Sequence, residues 1–286
     1  MHQFRPDVQT EPALLDVRVR KAMLHALDRQ ALADGLFEGE VPVPDTLAMR
    51  SASYFAEAGR VAAKYPYDPR RTDALMQEAG LAKGGDGFFA SGGKLFHPEM
   101  LVRASTQFER GQAIMVDNWR QAGLDVQPAV LPNVTTTERV RQTFPNIVGR
   151  TSNPEDFGLW MTSEIGSDEN RWSGTNQAGW SNPEYDRLAD SYRRSLERSE
   201  MDRLAVQLFK MLNDELPGYA TYESPALMAF ASGLRGPKFL SPGHPTARRC
   251  GTSTSGSGSN SRNRQEQKGR AGLPARPFCD LRPEMP

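Results

Sequence analysis

Apolar residues along this chain fall into short helical stripes separated by capping signals, with two stretches of alternation between them. Asp16 is placed to cap a helix in which Val19, Met23, Ala26 and Leu27 recur at spacings of three and four. Asp28 then caps or kinks the chain into a second turn ending near Gly35. Asp68 followed by Pro69 is an N-cap with proline at the first helical position, and RRTDALMQEAG ends on Gly80. Each predicts a surface helix that buries one face.

The pattern changes at DGFFASGGKLFHPEMLVRAS, which reads as a hairpin turning on Gly92 and Gly93, its second strand running on through Leu101 and Val102. A helix over about 107–122, closed by Gly123, and the alternation LDVQPAV follow. Strand, helix, strand in that order predicts a βαβ unit with a parallel pair. Later helices open at Asn182-Pro183 and at Ser199, with Asp202 at the third position, the last running to Leu216. YATYESPALMAF supplies two short β-prone runs. The predicted fold class is α/β.

Composition refines this picture mainly at the end of the chain. The 286 residues, 38% hydrophobic, suffice for one or two cores. After Ala247 the chain becomes rich in Ser, Gly, Arg and Pro without an apolar face, which predicts disorder over 248–286. A basic arm and an out-of-frame end both fit that composition. The segment carries eight Lys/Arg against three Asp/Glu in a chain of zero formal charge, so the body is acidic and no nucleic-acid partner is expected. Both cysteines, Cys250 and Cys279, lie there too, so thiol chemistry in the body is excluded. No run of about eighteen uncharged apolar residues predicts a membrane span, and charges through the first thirty residues argue against an export signal. As written, the chain is expected to stay in the cytoplasm.

Several suggestive motifs fail on spacing. KGGDGFFASGGK is not a phosphate loop, because Phe88 stands where the first glycine belongs and Leu95 where Ser or Thr would bind magnesium. SGSGSN follows no strand and opens no helix. His2, His25, His97 and His244 are mutually isolated, without metal-ligand spacing. Glu155-Asp156 and Asp168-Glu169 are adjacent pairs, whose side chains do not converge on one bond. No catalytic apparatus, cofactor or metal is expected.

DVRVRKAMLHALDRQALADGLF, YPYDPRRTDALMQEAG, the βαβ unit closing on QAGLDVQ, GWSNPEYDRL and LNDELPGYATYE, in that order, resemble the peptide/nickel-type extracellular solute-binding proteins of ABC importers over about 12–247. The resemblance implies the C-terminal lobe of a two-lobed periplasmic-binding-protein type II fold, with the N-terminal half absent. It implies residues 1–225 as that lobe and 226–247 as a truncated segment returning toward the first lobe. It also implies a periplasmic setting, a peptide or other small solute as ligand, an ABC permease as partner and no chemistry on the ligand.

The same resemblance points to FPNIVGRTSNPEDFGLW as the ligand-facing segment. Members of the family place a carboxylate four residues before the matching proline, against a peptide's amine; here that position is Arg150. The reversed charge implies a ligand carboxylate or other anion held by paired hydrogen bonds, against the alternative of an ordinary surface arginine. Asn153 reads as an N-cap before Pro154, and exposed groups at Ser152 and Asn153 could meet a ligand. Trp160, Trp172 and Trp180 are candidates for an aromatic cleft wall or for core packing, and of these Trp160 and Trp180 are carried as ligand candidates.

One lobe supplying half of a ~1 μM affinity, about −8 kcal/mol, retains ~4 kcal/mol, which is millimolar binding. A weak solute-binding lobe, the remnant of a broken receptor gene and a cytoplasmic helical interaction protein are therefore the three functional expectations.

Overall fold

The computed structural model describes residues 1–132 and 137–224, all within one compact unit; a second unit, like the expectations for 226–247 and 248–286, lies outside them. The capping aspartates do what their positions predict. Asp16 accepts the Arg18 N–H (2.8 Å) ahead of α1 (Val17–His25), and Asp28 accepts that of Ala31 (2.9 Å) ahead of α2 (Arg29–Phe37). Helix α2 continues past Gly35, where the missing side chain leaves room for Ile114: a Cβ there would sit 2.9 Å from that side chain. It ends instead on left-handed Glu38 (φ 53°). After α3 (Phe55–Val61) comes α4 (Pro69–Glu78), capped by Asp68 and closed by Gly80 at φ 85°. Thr72 of α4 donates to the Ala22 carbonyl (3.1 Å), docking α4 on α1.

Gly92 and Gly93 (φ 57° and 80°) turn β2 (Phe89–Ser91) into β3 (Lys94–Leu95), with β1 (Ala82–Lys83) completing a small antiparallel sheet. The expected long second strand is a correction. β3 stops at Leu95, Phe96 turns into the core with 1% of its surface exposed, and Pro98 has no N–H to continue a ladder. The chain resumes as β4 (Glu99–Arg103) in a second sheet.

That sheet carries the architecture. From β4 the chain runs through α5 (Thr106–Gln121) to β5 (Gln127–Leu131), then through α6 (Glu138–Gln142) to β6 (Ile147–Val148). The order is β5-β4-β6 and both pairings are parallel, as the βαβ reading requires. Met1 and His2 add an antiparallel lane beyond β6: the Val148 N–H donates to the Met1 carbonyl (2.9 Å) and His2 bridges Ile147. His2 N–H also donates to the Pro217 carbonyl (2.9 Å), so the first residues run beside the segment leaving the last helix.

Two cores result. The first lies between α1, α4, α5 and the β4–β6 sheet around fully buried Trp119, whose indole N–H donates to the Met23 carbonyl (2.9 Å). The second packs α7 (Pro183–Arg194) and α8 (Arg198–Glu215) against residues 157–161 and α3. Asn182 caps α7 as expected, accepting the N–H groups of Glu184 and Tyr185. Helix α8 starts earlier than Ser199 suggests: Met201 N–H already bonds the Glu197 carbonyl, and Asp202 pairs with Arg198 (3.2 Å) from inside the helix. Residues 219–224 form no strand, and the rest of the β-prone run lies outside the described residues.

Candidate functional site

The chain leaves β4 toward β5 on one side of the sheet, and reaches β6 on the other side by crossing back. The carboxyl ends of β4 and β6 therefore flank the point where the connections diverge, the place where open α/β sheets form a ligand crevice. Two arginines stand there. Leu101 pairs with Val148, and the Gly149 N–H donates to the Leu101 carbonyl (2.9 Å), so the register carries Arg103 at the end of β4 opposite Arg150 just beyond β6.

Gly149 leaves room for two neighbouring side chains: a Cβ there would meet Val102 and Met100 side-chain carbons at 3.0 and 3.2 Å. Arg103 is exposed, whereas Arg150 is partly buried with its Nη1 wholly buried and without a partner among the described residues. Burial lowers the Arg150 pKa, and the neighbouring Arg103 charge lowers it further; Asp156 opposes both.

The loop beyond Arg150 uses its own acceptors internally. Asn153 does not cap an α-helix. Its Oδ1 accepts the Glu155 N–H (3.1 Å) and its carbonyl that of Asp156 (3.2 Å), an Asx turn forced by Pro154. Asp156 then accepts the Gly158 N–H (3.1 Å) at the start of a 3-10 turn over Phe157–Trp160, and Glu155 accepts the Tyr54 hydroxyl (2.9 Å). Ser152 is exposed on the same loop, close to Arg150 in sequence.

The tryptophans do not line this edge of the sheet. Trp160 and Trp180 are each 4% exposed in the second core, Trp180 edge-on to Tyr185, so their candidacy as ligand contacts gives way to packing. Trp172 is half-buried between the Arg5 and Arg139 guanidinium groups, 5.0 and 5.1 Å from its ring.

Sequence reasoning missed three arrangements. Arg103 was hidden because only the strand register brings it to Arg150. His97 Nδ1 lies 2.6 Å from Asp125, itself held by Gln127 (2.8 Å) and Arg120 (3.3 Å), a pairing across 28 residues. His2 is fully buried against Tyr219, ring centroids 5.3 Å apart, with neither ring nitrogen partnered among the described residues.

Burial, then the Met1 amino group and Arg20, hold the His2 pKa well below its ordinary value. Folded His2 stays neutral while the unfolded chain takes up a proton below pH ~6.5. Acidification from that pH therefore destabilises the fold, by at most about 1.4 kcal/mol per pH unit from this group. The melting temperature measured from pH 7.5 to 5 should fall, and His2→Phe should make the fall shallower; equal slopes would remove His2 from the explanation.

Two packed cores and a parallel sheet with two arginines at its carboxyl edge make up this α/β unit. The chain belongs to the bacterial extracellular solute-binding proteins, family 5, whose middle region matches residues 3–168. It is similar to heme-binding protein A of Haemophilus influenzae, 24% identical over 73% of this chain and 37% of that protein. It is also similar to the oligopeptide-binding protein AppA of Bacillus subtilis, 20% identical over 78% of this chain and 41% of the relative. Among solved structures, the oligopeptide-binding protein of Thermus thermophilus complexed with a pentapeptide superimposes with a TM-score of 0.67, at 25% identity over 76% of this chain and 39% of that one. The chain thus spans about two fifths of the length of these relatives.

Proposed function

We propose that this chain provides one jaw of the solute-binding component of an ABC import system, working outside the cytoplasmic membrane and delivering its solute to a permease. Residues 1–225 form the ligand-binding lobe in this reading. The ligand lies against the β4–β6 edge and the 149–153 loop, with Arg150, Ser152 and Asn153 as contacts. The observation that carries the reading is the partly buried, unpaired Arg150 at the sheet's divergence point, in a chain of this family. The ligands named for the relatives, oligopeptide and haem, make peptide the first choice and haem the second. Binding is reversible and leaves the solute unchanged.

Assayed by itself, the 286-residue polypeptide should bind at about millimolar strength, because closure from a second side is what excludes water. At ten times that dissociation constant a ligand adds about 1.4 kcal/mol, a rise of about 3–5 °C in melting temperature. Thermal melting with pentaalanine, trialanine and haem tests this. A saturating rise with one of them supports the reading, and no rise with any at tens of millimolar (haem to its solubility limit) would sink it.

A further inference from the structure

We infer that the carboxyl edge of β4 and β6 is an oxyanion-recognition site, in which Arg103 and Arg150 together grip a solute's carboxylate or a chemically equivalent group. The inference rests on the solute-binding reading and gives it a ligand class. Adjacent strands lie about 4.8 Å apart, so the register sets the two guanidinium stems side by side at one edge of the sheet. Like charges so placed repel, and nothing among the described residues forms an ion pair with either of them.

Other sheltered arginines of the lobe are used differently. Arg20 spends its donors on the carbonyls of Leu14, Leu15 and Glu215, and Arg29 on those of Pro44 and Tyr65. Arg150 has no hydrogen bond at all among the described residues, and its inner nitrogen is shut off from water. The acidic side chains nearest in sequence are committed elsewhere: Glu155 accepts from the Tyr54 hydroxyl and Asp156 from the Gly158 amide. A buried donor without an acceptor is costly, and two arginine forks present the planar, paired donors that suit a carboxylate. An oxyanion drawn to the two guanidinium groups offsets the repulsion between them. A ligand amine would do the opposite.

The depressed pKa of Arg150, caused by burial and by Arg103, agrees with this arrangement. Conversion of either arginine to glutamine should leave the unliganded fold intact, since it removes a repulsive charge and breaks no bond.

The test uses the full chain and three probes: N-acetyl-trialanine, which has a carboxylate and no amine; trialanine amide, which has the reverse; and sodium sulfate. Binding is read by NMR from backbone amides and arginine Nε–H signals, in the parent, Arg103→Gln, Arg150→Gln and Arg150→Lys. The acetylated peptide should bind about tenfold or more tightly than the amide, each glutamine variant should lose about tenfold, and the lysine variant should lose less. Should Arg150→Gln not fold, exposed Arg103→Gln still decides the matter. Equal binding of both peptides, or binding indifferent to both arginines, overturns the oxyanion site while leaving the solute-binding lobe standing. Saturable sulfate binding through both arginines, with neither peptide bound, keeps the oxyanion site and removes the peptide reading. No binding of any of the three overturns both.

Discussion

Replacing Arg20 by methionine should lower the unfolding free energy by ~4 kcal/mol, the largest single-residue effect expected in this lobe. Arg20 belongs to the D-x-R-V-R-x-A stretch, where its helical neighbours Val19, Ala22 and Met23 are apolar and buried. Its own side chain is 2% exposed. Nε and Nη2 donate to the Glu215 carbonyl (3.0 and 2.6 Å), and Nη1 donates to Leu14 and Leu15 (both 2.8 Å). The Phe4 ring covers it at 4.8 Å.

Glu215 is the last residue of α8, so its carbonyl has no partner within the helix, and a cation there also meets the negative end of the helix dipole. Arg20 thereby ties α1 of the first core to α8 of the second. Methionine fills the volume but leaves three carbonyls without donors. Lysine keeps the charge but cannot reach three carbonyls in two directions, so Arg20→Lys should lose nearly as much. Urea unfolding checks this; a loss below ~1 kcal/mol at unchanged slope would show that the bonds to α8 do not hold the cores together.

A loss of ~3 kcal/mol is expected for Gln142→Leu. This fully buried amide donates to the carbonyls of Trp172 and Gly174 (both 2.8 Å) and accepts from the Gly166 N–H (3.0 Å) and Arg5 Nη2 (3.1 Å). Leucine is close in volume and removes all four interactions at once. Beyond the orphaned groups, Arg171 and Trp172 sit at φ 55° and 60°, a left-handed conformation that costs non-glycine residues of order 1–3 kcal/mol each and holds only where contacts fix it. Gln142→Leu should therefore also raise the hydrogen-exchange rate of the Gly166 amide. Unchanged exchange together with unchanged stability would mean that the loop holds its shape without Gln142.

What could be read from the sequence follows the range of the interactions involved. Asp16, Asp28, Asp68 and Asn182 cap helices through groups two or three residues away, so residue type and position were enough. The parallel pair was legible because strand, helix and strand follow one another directly. The second hairpin strand was read too long because FHPEMLV keeps an apolar rhythm, and only the missing N–H of Pro98 and the burial of Phe96 show that the sheet changes there. Ser199 and Asp202 have capping-box spacing, yet α8 begins two residues earlier, where Glu197 receives its first bond.

The candidate site was half legible. Arg150 was identified through a resemblance, whereas Arg103, 47 residues earlier, becomes its neighbour only through the β4–β6 register. Arg20 reaches Glu215 across 195 residues, and no local pattern records such a contact. Trp160 and Trp180 were poor guides to the crevice, because a tryptophan's bulk suits a core as well as a binding wall.

The central claim is that solute meets this lobe at the carboxyl edge of β4 and β6. Backbone amide NMR of the full chain titrated with N-acetyl-trialanine tests it most directly. Shifts that saturate together at Leu101, Val102, Arg103, Gly149, Arg150 and Ser152 are the predicted result. Saturable shifts confined to the groove between α7 and α8, at residues such as Arg187 and Gln207, would contradict it.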